Sequence, residues 1–80
     1  LDSQKIIECL KQGIVLIDFR SLKSGNVYSR EYTLNENYMN LPNIVKNQSG
    51  DKIICYDIDF GKWEDIDVQS IESWKTIQKL

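Results

Sequence analysis

The chain has no histidine, and with it go the commonest general base and the commonest metal ligand of proteins. A Ser-His-Asp arrangement is excluded outright. The two cysteines, Cys9 and Cys55, lack the partner that usually makes a thiol a nucleophile. No apolar run approaches the roughly 18 residues of a membrane-spanning helix. The opening segment, interrupted by Asp2, Lys5 and Glu8, is not the apolar core of a signal peptide. Net charge is only −2, so a general grip on nucleic-acid phosphates is not favoured. Alanine is missing too, while isoleucine, lysine and asparagine abound; that usage suits an AT-rich bacterial or viral genome and carries no chemistry.

What is present suffices for one small domain, residues 1–80, with a single modest core. Hydrophobic residues at 41% and charged residues at 28% are globular rather than disordered proportions. A chain of this size has no second lobe to close over a substrate and no deep pocket to tune a carboxylate pair. The reading is therefore a non-enzyme, with no catalytic residue, no metal and no cofactor. Cys9 and Cys55 lie in apolar-periodic contexts and read as buried thiols of a cytosolic protein in preference to a disulfide.

Asp2 or Ser3 caps a helix within residues 1–13, with Ile6, Ile7 and Leu10 as its apolar stripe and Gly13 at its stop. A strand follows over Gly13–Arg20, with Val15, Ile17 and Phe19 on one face. Lys23-Ser24-Gly25-Asn26 is a hairpin turn, and Val27 to Leu34 returns with Tyr28, Arg30, Tyr32 and Leu34 together. A polar connection holds the one proline, Pro42, with a short helical turn around Glu36–Leu41 and a turn at Asn47–Asp51. The third strand is Lys52–Ile58, the hairpin Asp59-Phe60-Gly61-Lys62, and the fourth strand Trp63–Val68 with Ile66 and Val68 inward. Gln69-Ser70 is a brief break before a fifth strand, Ile71–Ile77. The expected architecture is mainly β: an N-terminal helix on a small five-stranded SH3/Sm-like barrel in meander order (residues 14–77), closed or partly closed, closure removing exposed strand edges.

These residues also carry a family resemblance. Gly13-Ile14-Val15-Leu16-Ile17-Asp18-Phe19, the Lys23–Gly25 turn, Arg30-Glu31-Tyr32-Thr33-Leu34, Leu41-Pro42, Ile54-Cys55-Tyr56-Asp57-Ile58, Gly61-Lys62-Trp63, Ile66 and Val68-Gln69-Ser70-Ile71 make the chain similar to a group of small phage-encoded proteins. That group is classed as Sm-like, SH3-type β-barrels and named after the WYL domains. The chain departs from its pattern where Trp63 precedes Glu64 instead of arginine, and in keeping only Arg30 of the basic residues after the first hairpin. The resemblance implies a phage origin, work in the bacterial host cytoplasm, and binding to a host protein of transcription, replication or defence, whose activity is modulated or inhibited.

Two constellations are candidate binding sites. Asp57, Asp59, Glu64, Asp65 and Asp67 crowd the last hairpin, with Asp57 and Asp59 expected on one strand face and Asp65 and Asp67 on another. Such a cluster suits a basic protein surface or a hard cation, or is merely a solvated face; EF-hand spacing is absent, and the protein-docking patch is the functional reading carried forward. Tyr28, Arg30, Tyr32 and Trp63 form the alternative, an aromatic face with one guanidinium for a nucleotide or single-stranded nucleic acid, with a homo-oligomeric ring as its setting. Asp59-Phe60-Gly61 matches the kinase metal-binding tripeptide by chance, since no glycine-rich loop accompanies it.

Overall fold

The computed structural model describes residues 2–39 and 50–79, and of Gln78 and Lys79 the backbone alone. Helix α1 (Ser3–Gln12) leads directly into β1 (Gly13–Arg20), followed by β2 (Val27–Thr33), a 3-10 turn at Glu36–Tyr38, β3 (Lys52–Asp57), β4 (Lys62–Asp67), a second 3-10 turn at Val68–Ser70, and β5 (Ile71–Lys79). The chain is mainly β, with five antiparallel strands in one open sheet of order β4-β3-β2-β1-β5. β1 to β4 form the expected meander, and β5 pairs with β1 as closure requires, but no β4–β5 ladder joins the last two strands among the described residues. β4 and β5 are thus the two edges, and the expected barrel is not closed by pairing between them among the described residues. No described helix is long and apolar enough to cross a membrane.

α1 starts where Asp2 Oδ1 accepts a hydrogen bond from Lys5 N at 3.2 Å, supplying an acceptor for a helix-end N–H. Its stripe of Ile6, Ile7 and Leu10 is buried, as the spacing predicts. At its end the carbonyls find partners on the chain leaving β2. Leu34 N donates to Leu10 O at 2.9 Å, Asn35 Nδ2 to Lys11 O at 3.0 Å, and the buried Thr33 Oγ1 to Gly13 O at 2.6 Å. Those bonds satisfy helix-end carbonyls and lock α1 over one end of the sheet. The core comprises the α1 stripe with Val15, Ile17, Tyr32, Ile53, Cys55, Ile66 and Ile71.

Two irregularities shape the opposite end. The β1–β5 register shifts between Ile14 and Val15 and again between Asp18 and Phe19, and such shifts bend and twist strands. β2 meets β3 only at Tyr32–Asp57 and Thr33–Tyr56, whereas β1 and β2 pair from Ile14–Thr33 out to Arg20–Val27. β2 therefore diverges from β3 toward the β1–β2 turn, and a groove opens there. Leu41, Pro42 and the start of the expected 47–51 turn lie outside the described residues; Gly50 and Asp51 form a turn. Strands three and four each end one residue early, Ile58 belonging to the hairpin turn and Val68 to the 3-10 turn, where it still packs on the core. Cys9 and Cys55 are both free thiols, Cys55 buried.

Candidate functional site

Two turns build the rim of the groove. Between β1 and β2, Ser21 Oγ accepts from Lys23 N and Ser24 N at 3.2 and 3.3 Å. Gly25 takes a φ of +76° that side chains rarely adopt. Arg20 braces this turn, Nη1 donating to Gly25 O at 2.6 Å while Nε pairs with Glu72 at 2.8 Å; Leu22 is left 81% exposed. Between β3 and β4, Gly61 N donates to Asp57 O at 2.8 Å, Phe60 N donates to Asp57 Oδ1 at 3.1 Å, and Gly61 has φ +65°. An Asp side chain holding the backbone of its own turn is a recurrent turn device, and here it presents Phe60, 60% exposed.

The groove between these turns has a volume of about 500 Å³. One wall is Phe19, Arg20, Leu22, Lys23, Tyr28 and Arg30; the other is Glu64, Asp65, Ile66 and Asp67 of β4, with Ser70. A smaller hollow of about 100 Å³, lined by Arg30, Phe60, Lys62 and Glu64, adjoins it. Arg30 joins the two hollows, its guanidinium 4.3 Å from the Phe60 ring centroid and 5.3 Å from that of Tyr28, within cation–π range. Tyr28 also packs on Phe19 at 5.9 Å. Hydrogen bonding to Ser24 and Asn26 holds the Tyr28 hydroxyl below its ordinary pKa.

On β3, at the start of its turn, Asp57 is 0% exposed. It sits across from the equally buried Tyr32, while Glu64, half-buried, faces inward from β4 opposite Cys55. Burial, followed by a hydrogen bond to Asp57 and that residue's charge, raises the Glu64 pKa from 4.5 to about 7; Lys62 and Arg30 pull the other way. Burial and these same carboxylates raise the Cys55 thiol and the Tyr32 phenol well above their ordinary values.

Parts of the two expected constellations meet in this one groove, with four corrections. Asp57 is fully buried and cannot present its carboxylate to a partner, because its side chain is spent inside on the turn. Asp59 does not share a strand face with it, since β3 ends at Asp57 and Asp59 stands exposed in the turn. Tyr32 is likewise fully buried; its position directly opposite Asp57 draws it into the core, so it is no exposed stacking platform. Tyr28 and Arg30 do line the groove, as do Glu64, Asp65 and Asp67. Asp67 also accepts from Gln69 N at 3.0 Å, capping the 3-10 turn. Trp63 lies on the other face of β4 from Glu64, edge-on to Tyr56 at 5.9 Å. Among the described residues no three acidic or thiol side chains are placed to hold a metal ion.

Residue-by-residue reading missed Phe19, Arg20, Leu22 and Lys23 as groove residues. A signal was present in Leu22, an apolar residue in a turn otherwise polar. No protein-family model, no curated protein and no solved structure matches this chain.

Proposed function

We propose that this chain is a non-catalytic binding module of SH3/Sm-like build that docks its groove on a basic site of another protein and modulates it. The observation that carries the reading is the β4 wall: Glu64, Asp65 and Asp67 beside the exposed apolar side chains of Leu22, Tyr28 and Phe60, a charged border next to apolar anchors. The 3-10 turn Val68–Ser70 joining the last two strands and the register shifts that bend β1 against β5 support the barrel-like build. A phage origin and a bacterial host protein as the partner come from the family resemblance. The test is affinity capture from nuclease-treated bacterial lysate with the native chain, with Asp65→Lys/Asp67→Lys, and with Tyr28→Ala/Phe60→Ala. One protein retained by the native chain and lost by both variants supports the reading, and retention unaffected by either sinks it.

The Arg30 stack between Tyr28 and Phe60 favours a second reading, a nucleotide or single-stranded nucleic-acid site. It stands behind the first because Tyr32 is buried, Trp63 faces elsewhere, and the facing wall is acidic. Quenching of intrinsic fluorescence by oligonucleotides, lost in Arg30→Ala, would reverse that order.

A further inference from the structure

Three buried oxygens on β2, β3 and β4 find no donor or acceptor among the described residues while both carboxyls are taken as ionised: Asp57 Oδ2, Tyr32 Oη and Glu64 Oε1, the last on the groove wall. Native proteins leave few such atoms, and each calls for a guest or a proton. Asp57 and Tyr32 face one another across β3 and β2 and are completely enclosed. Glu64 comes within hydrogen-bonding reach of Asp57 from β4. A proton on Glu64, set beside the buried Asp57 carboxylate, supplies the missing donor.

We propose that Glu64 carries a proton directed at Asp57, and that its release charges the β4 wall and admits a lysine or arginine side chain of the protein partner. The partner chemistry rests on the docking reading above; the Glu64 proton does not. Charged and titratable groups face the pair from each strand packed around it: Arg30 and Tyr32 of β2, Cys55 of β3, Lys62 and Asp65 of β4. Tyr32 and Cys55 stay neutral throughout. Arg30 and Lys62 favour ionised Glu64, which brings release into the neutral range, while Lys23 on the far wall leaves the cation its place beside β4. On binding, the proton passes to solvent and the incoming ammonium or guanidinium takes over its hydrogen-bonding role toward Glu64.

Carboxyl ¹³C NMR of the native chain across the pH range tests the proton, and calorimetry with tetralysine in buffers of different ionisation enthalpy tests the linkage. The expected Glu64 midpoint is about 7, falling toward the ordinary value in Asp57→Asn, whose retained Oδ1 still accepts from Phe60 N. An ordinary Glu64 midpoint in the native chain overturns the Glu64 proton. If Asp57→Asn fails to fold, Glu64→Gln answers in its place: its amide supplies the donor permanently, so the fall in stability from pH 5 to 8 expected of the native chain disappears, and its persistence in the variant, or its absence from the native chain, overturns the pair. Tetralysine is expected to bind about tenfold tighter at pH 8 than at pH 6, as release of one proton requires, with no such gain in Glu64→Gln. An equal gain in both proteins overturns the linkage. A neutral-range Glu64 midpoint with no tetralysine binding at either pH overturns the partner chemistry alone.

Discussion

A single side chain on the groove wall works against stability at neutral pH. Glu64 titrates near 7 in the folded chain and at its ordinary 4.5 when unfolded. Between those values the folded state holds a proton that the unfolded state has released, so stability falls as pH rises through that window and stays low above it. Glu64→Gln is expected to gain on the order of 2 kcal/mol at pH 8 and little at pH 4, measured by urea unfolding at both. Asp18 has the opposite sign. Hydrogen bonds from Ser29 and Ser73, at 2.5 and 2.7 Å, hold its carboxyl below the ordinary value, so its contribution is present above that value and is lost as pH falls through the lowered one. Ser29→Ala should therefore narrow the acid side of the stability profile, read by thermal unfolding between pH 2 and 5. Thr33 is a third case, since its buried hydroxyl donates to Gly13 O and accepts from Asn35 N at 2.9 Å. Thr33→Val keeps the shape and leaves both backbone groups short of a partner, a loss of about 1–3 kcal/mol.

At the scale of elements, each short segment is stable only through what it packs against. α1 has ten residues, too few to persist alone, and its hold on the sheet is the Ile6, Ile7 and Leu10 stripe. Leu10→Ala should cost about 2–5 kcal/mol, seen in the denaturation midpoint. The β3–β4 hairpin depends on Gly61. A Cβ there would meet only Tyr56 Oη, at an ordinary 3.6 Å, so the expense of Gly61→Ala is conformational, about 1–2 kcal/mol. The periodicity of α1, the Gly25 and Gly61 turns and the five strands were all legible in the sequence, because they follow from local propensity and spacing. The absence of a β4–β5 ladder among the described residues, which leaves the sheet open, was not. Local pattern specifies which face of a strand is apolar, but it does not specify which neighbour the strand selects.

For the whole molecule, β1 runs from the helix-covered end to the groove, separating the two ends. Changes such as Leu10→Ala should lower stability without altering groove affinity under folded conditions. Charge acts at longer range, and the proposed docking of the β4 wall on a basic partner carries a salt dependence: raising salt from 50 to 300 mM shortens the screening length well below 10 Å. The association rate should then fall several-fold, with dissociation changing less, as surface plasmon resonance would record.

Composition and pattern alone determined the absence of histidine chemistry, the small mainly β architecture with its leading helix, and the acidic and aromatic residues that the groove brings together. These are properties of single residues and of short-range periodicity. Tertiary structure alone decided that Asp57 and Tyr32 turn inward while Asp65 and Tyr28 stay at the surface. Alternation along a strand assigns a residue to a face, whereas its enclosure depends on the strands and turns arriving from elsewhere in the chain. The same long-range packing brought Glu64 against Asp57, seven positions back along the chain, and so set the charge of the groove.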